Sequence, residues 1–150
     1  MITVRTNINL VSGKIVEQLR KIKDREYLLR PIAFDVITLM TERIHKDGND
    51  SKGEPIGSYS SEYLKRRQSK AYNRTGDKKI IVSLTRQLEN DWSVIATPKG
   101  YGIGFLNGHN LDKARWVEEN KGKIIFNLSE KERDYATEKL NQLIADAISQ

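Results

Sequence analysis

The sequence predicts an α+β fold, with N-terminal helices, a small antiparallel β-sheet built on a hairpin, and a C-terminal helix packed on the sheet. Three observations carry this. Apolar residues recur at helical spacing near both ends of the chain, as Ala33, Val36, Ile37, Met40 and Ile44 and again as Tyr135, Leu140, Leu143, Ile144, Ala147 and Ile148. Between them, WSVIAT and GYGIGF alternate with a period of two and are joined by Thr97, Pro98, Lys99 and Gly100. A length of 150 residues suits one domain with its own core.

Taken in order, Ile2, Val4, Ile8 and Leu10 alternate with Thr6 in phase, which predicts a short strand or an extended arm over residues 1–11. Ser12 is then the expected N-cap of a helix whose apolar face is Ile15, Val16, Leu19 and Ile22. Asp24 is positioned to cap a second helix, in which Pro31 is tolerated near the start or introduces a kink because it has no amide to donate. The stripe from Ala33 to Ile44 continues that pattern and stops before Gly48.

Asp47 to Ser60, DGNDSKGEPIGSYS, is too rich in Gly, Pro, Ser, Asn and Asp to be covered by a core, and the expectation is a long flexible loop. SSEYLKRRQSKAY follows as a short helix capped by Ser60 or Ser61, with Glu62 in its first turn, ending near Asn73 to Asp77. Ile80 to Val82 begin a strand-like region, and LENDWSVIAT with GYGIGFL supplies the hairpin, with Trp92, Val94 and Ala96 on one face and Tyr101, Ile103 and Phe105 on the return strand. Asn110 is the expected cap of a helix that ends at Gly122. After the apolar run Ile124 to Phe126, Ser129 opens the last helix with glutamates in its first turn.

The net charge of +6 lies in the first half: residues 1–46 carry nine basic against five acidic side chains, residues 47–78 seven against five, and residues 79–150 ten against ten. A basic balance of this size suits an acidic partner surface or a nucleic acid, and also plain solubility. There is no cysteine, which excludes disulfides, thiol nucleophiles and cysteine-based metal sites. MITVRTNINLVSG lacks the pattern of a signal peptide and no window approaches a membrane span, so a soluble, unsecreted protein with no membrane partner is expected.

The loop offers Asp47, Asn49 and Ser51 at the alternating positions of a calcium loop, but Lys52 and Ser58 stand where that loop needs glycine and glutamate. His45, at a helix C-terminus, suits a cation stabilised by the helix dipole, and His109, with only Asp112 nearby, is too little for a nuclease. The glycines of GYGIGFLNG lack the ending of a phosphate loop and read as strand glycines that leave room for a helix or a neighbouring subunit. No catalytic, cofactor-binding or metal-binding residue is assigned, and no cofactor is expected. The segment YLKRRQSKAYNR interleaves Tyr63 and Tyr72 with Lys65, Arg66, Arg67, Lys70 and Arg74, a composition suited to phosphate contact with stacking side chains and equally to a solvated helix.

These segments also occur in a particular order: RIHKDG, the glycine-rich loop ending in YSSEYLKRR, SLTRQLENDWSV, GYGIGF, and KARWVEENKGKIIFNLSEKERDYATEKLNQLIADAI. From about Ile32 onward the chain resembles the phage tail-completion, or virion-morphogenesis, family, the neck proteins that join head and tail in tailed bacteriophages. The matching positions are Gly53 to Ser60 in the loop, Leu84 and Thr85 before the sheet, and Phe126, Leu128, Ser129 and Glu132 at the start of the last helix. Where the family carries Thr-Gly beside the sheet, this chain has Thr85-Arg86, with Thr75-Gly76 upstream.

The resemblance implies a non-enzymatic virion structural protein, made in the host cytoplasm and located at the head-to-tail junction, forming a homo-oligomeric ring with portal or adaptor and tail proteins as partners. On that reading the loop orders against a neighbouring subunit through Pro55, Ile56 and Tyr59, and Lys65, Arg66, Arg67, Lys70 and Arg74 face the packaged DNA. The alternative is a small nucleic-acid-binding protein without sequence specificity, using Tyr63 to Arg74.

Overall fold

The computed structural model describes residues 8–149, which form six helices and one hairpin in the order helix, helix, helix, helix, strand, strand, helix, helix. The expected arm over residues 1–11 lies partly outside the described residues. Its remainder is corrected: Ile8 and Leu10 belong to α1 (Ile8–Lys23), and Ser12 sits inside that helix instead of capping it. Two alternating residues with no strand to pair with do not hold a chain extended, and the helical period that follows simply extends backward.

Helix α2 (Arg25–Glu42) starts where expected, with the Asp24 carboxylate accepting from the Tyr27 amide. Pro31 lies inside it, exposed, and the helix runs on through it. Five residues in a wider π-turn, Arg43–Asp47, follow α2, and Gly48 closes the turn at φ 70°. The extra residue of the wide turn brings Arg43, Ile44 and His45 inside together.

Helix α3 (Ser61–Gln68) is capped by Ser60 and ends earlier than its basic composition suggests. Ile80 to Val82 do not form a strand. Lys79 makes one bridge to Ser58, the Ile80 amide donates to Gly57, and Val82 turns to φ 47°, which breaks the extended run. LEND is likewise helical, in α4 (Gln87–Asp91).

The sheet is a single antiparallel hairpin, β1 (Trp92–Thr97) and β2 (Gly100–Phe105), with Trp92 opposite Phe105, Val94 opposite Ile103 and Ala96 opposite Tyr101. Helix α5 (Gly108–Lys121) is capped by Asn107, not by Asn110, and ends at Gly122 in the left-handed conformation. Asn110 is buried and donates to Asp91 Oδ2 at 3.1 Å, which also accepts from the Asn107 amide, so Asp91 fixes the start of α5 to the foot of β1. Helix α6 (Glu130–Ser149) begins at a capping box in which Ser129 and Glu132 bond each other's backbone amides.

Two clusters make the core. In the first, Ile32, Val36 and Met40 of α2 meet Trp92, Ile103 and Phe105 of the hairpin and Tyr135, Ala136, Leu140 and Leu143 of α6. Trp92, Phe105 and Phe126 form a ring trio with centroids 4.8–5.6 Å apart, within the range of favourable aromatic pairs. The second cluster is Ile44, Ile56, Ile80 and Ile125, each at most 3 % exposed.

Candidate functional site

The glycine-rich segment is stitched to its own chain. Gly48 is forced by its surroundings: a Cβ there would stand 2.3 Å from the Ile80 carbonyl oxygen, and φ is positive. Asp50 Oδ1 accepts from the Lys52 and Glu54 amides, both at 2.9 Å, while Oδ2 lies 3.5 Å from Lys123 Nζ. Burial pushes the Asp50 carboxyl up, but the two amides and the Lys123 charge outweigh it and hold the group below its ordinary value. The Ile56 amide donates to Gly48, and the Tyr59 amide to Lys78.

The expected contact residues therefore divide. Pro55 is exposed, whereas Ile56 is 3 % exposed inside the second core cluster. Tyr59 is half-buried, accepting from the Ile81 amide with Arg67 stacked 4.3 Å over its ring. Ile56 is thus corrected from a neighbour-binding anchor to an internal one, because the apolar site it fills belongs to its own chain, whereas Tyr59 is held within the chain and still lines an open cleft.

Arg43 ties this segment to the end of the chain. Its guanidinium donates to Glu132 Oε1 at 2.7 Å and Oε2 at 3.3 Å, and to the carbonyls of Asn49, Ile125 and Asn127. Glu132 also accepts from the Ser129 amide at 2.7 Å. A buried ion pair of this kind keeps its charges only when hydrogen bonds surround them, and here they do.

The basic segment is also divided by the structure. Lys65, Arg66 and Lys70 are exposed. Arg67 is 2 % exposed and donates to the Ser83 carbonyl, and half-buried Arg74 donates to the Leu84 carbonyl and Ser83 Oγ at 3.1 Å each. For Arg67 and Arg74 the expected DNA-facing role is corrected: both hold the irregular 80–84 segment, whose carbonyls lack strand partners and need donors.

Between α3, residues 80–88 and α5 lies a cleft of about 790 Å³, which Arg66 alone of these basic residues lines. Its aliphatic lining is Ile80, Val82, Leu84, Leu88 and Val117, and Trp116, 64 % exposed, joins them from α5. Val82 and Arg86, at φ 47° and 62°, lie in its lining, a conformation that a β-branched residue rarely adopts.

Below this segment His45 is buried, with Nδ1 3.2 Å from the Ile81 carbonyl and 3.9 Å from Glu89 Oε1. A carbonyl only accepts, so Nδ1 carries the proton. Burial pushes the imidazole pKa down against the pull of Glu89. The surface cation expected at this helix end is therefore a buried ring. His109 and Asp112 are both exposed on α5.

Several large apolar side chains are exposed. On α1 Ile15, Val16 and Leu19 are 50–65 % exposed, near the α6 end that Gln18 reaches by donating to the Ile148 carbonyl, and Ile148 is 56 % exposed. At the β2–α5 junction Leu106 is 71 % exposed and Leu111 36 %. Both outer edges of the two-stranded sheet lack a partner strand among the described residues.

No family model, curated protein or solved structure matches the chain. Among the described residues, no helix is long and apolar enough to cross a membrane, and no group of three or more His, Cys, Asp and Glu side chains is placed to hold a metal ion. Periodicity alone could not show that Ile15, Val16 and Leu19 of α1 stay exposed or that Arg43 and Arg67 are internal. The Asp50-to-Gly53 turn was readable as aspartate followed three residues later by glycine.

Proposed function

We propose that this protein is a non-enzymatic structural subunit that assembles head to tail into a closed ring at the head-to-tail junction of a tailed bacteriophage, next to portal or adaptor and tail proteins. The observation that carries the reading is the exposed apolar face of α1. Over sixteen residues, about 24 Å of helix, Ile15, Val16 and Leu19 remain largely in solvent, which a monomer has little reason to retain.

A ring needs a second, unlike surface to receive the first. Leu106, directly after β2, and Leu111 on α5 supply one, and β2 has no further strand paired to it among the described residues. The resemblance of the segment order to that of the tail-completion family supports the same reading. If DNA threads the ring, Lys65, Arg66 and Lys70 are the cations of α3 and its following turn left to face phosphate.

Val16→Glu and Leu106→Glu each damage one face at a well-exposed position. Electron microscopy and sedimentation of the unaltered protein should give closed rings, each variant alone should be monomeric, and a mixture of the two should stop at a dimer. A two-fold dimer, or a monomer at every concentration, overturns the reading. Steeply salt-dependent binding of free DNA by that monomer would place the protein with the small nucleic-acid binders instead.

A further inference from the structure

The cleft between α3 and α5 has a charge pattern that the ring reading does not use. Its lining includes Arg66, Arg86, Lys113 and Lys121 and no carboxylate. Arg86 is neutralised by Glu89 at 3.1 Å. Arg66 donates only to the Tyr72 hydroxyl and Lys113 to Gln87 Oε1, both uncharged, and Lys121 has no acidic partner among the described residues. A partly enclosed cleft with low-dielectric walls concentrates such a field.

Along α5 the order is cation, apolar, cation. Lys113 and Lys121 flank Trp116 and Val117, and eight residues of helix set the two lysines about 12 Å apart along the axis. An extended peptide covers that distance in about four residues. A carboxylate on each side of one bulky apolar side chain would meet both lysines while the apolar group meets Val82, Leu84 and Leu88.

Single-stranded nucleic acid is the other polyanion of suitable shape, and the ring faces argue against it. Arg67 covers Tyr59, Arg66 covers Tyr72 at 5.6 Å, and Tyr63 leans on Tyr59 at 5.2 Å. Base stacking along a strand needs several free aromatic faces, and with these three tyrosines engaged within the chain Trp116 is the one exposed aromatic ring left in the lining among the described residues. The aliphatic lining residues suit a Leu, Phe or Trp side chain better than a base.

We propose that this cleft is the docking site for an acidic peptide segment of a partner protein, with two acidic residues about four positions apart and a bulky apolar residue between them. The site belongs to each subunit and does not depend on ring formation.

The test is selection of a random dodecapeptide library on the intact protein, followed by fluorescence-anisotropy titration of the enriched peptides. The expected result is enrichment of the acid–apolar–acid pattern, with binding weakened about tenfold or more by Trp116→Ala and by Lys113→Glu with Lys121→Glu. All three positions lie at the surface or half-buried, and unchanged circular dichroism checks the fold. Enrichment of basic or uncharged peptides, or of none, overturns the proposal. So does oligothymidylate binding that the same substitutions abolish, or self-association that Trp116→Ala abolishes.

Discussion

Removing Arg43 should cost this protein a large part of its stability. Arg43→Ala takes away both donors to the Glu132 carboxylate and the donor to each of three carbonyls, while Glu132 keeps only the Ser129 amide. The side chains of the pair are 10 % and 4 % exposed, so water does not readily replace what is lost. Breaking a buried pair from one side costs about 3–5 kcal/mol, against a total of about 5–15 kcal/mol for a domain. At about 2–4 °C per kcal/mol for a chain of this size, the melting midpoint should fall by roughly 6–20 °C.

Urea denaturation followed by circular dichroism measures the loss, and a double-mutant cycle isolates the pair. Glu132→Leu alone should also be costly, since it strands the guanidinium. Arg43→Met with Glu132→Leu should cost clearly less than the two single changes added together. Arg43→Ala costing under about 1 kcal/mol, the range of an exposed ion pair, would refute the assignment of Arg43 as the tie between the loop and α6.

Three further outcomes are expected. Gly48→Ala should destabilise by on the order of 2 kcal/mol or more in the same denaturation experiment, because the left-handed backbone penalty adds to a clash with the Ile80 carbonyl. His45 sits below its ordinary pKa when folded, so the unfolded chain takes up the proton first. Stability should be unaffected by this group above about pH 6.5 and should decline as pH falls below it, and His45→Gln should flatten that part of the profile. Hydrogen exchange of the protein should show the Asp50, Ile56 and Tyr59 amides protected, and Asp50→Ala should release the first two while Tyr59, bonded to Lys78, changes least.

The parts of the fold legible in the sequence were those decided by neighbours a few residues apart. The caps at Asp24, Ser60 and Ser129 and the helix end at Gly122 follow from side chains within one turn of the backbone they satisfy. The hairpin register follows from alternation and a short turn. Arg43 and Arg67 were not legible, because their partners lie far along the chain or are carbonyls, which leave no trace in residue type. The apolar stripe of α1 showed which side is apolar, but not that Ile15, Val16 and Leu19 on it stay at least half exposed. In the glycine-rich segment, composition correctly gave the turns but hid the buried Ile56, a single isoleucine among polar residues.

The second core cluster bears on when the protein can fold during synthesis. Ile44, Ile56, Ile80 and Ile125 come from four well-separated points of the sequence, so each join closes a loop before the next contact can reward it. Until Ile125 has left the ribosome the cluster lacks a quarter of its members, and Ile56 and Ile80 have no completed site to enter. The segments that carry Ile44, Ile56 and Ile80 therefore wait for residue 125 to emerge before their shared packing is complete.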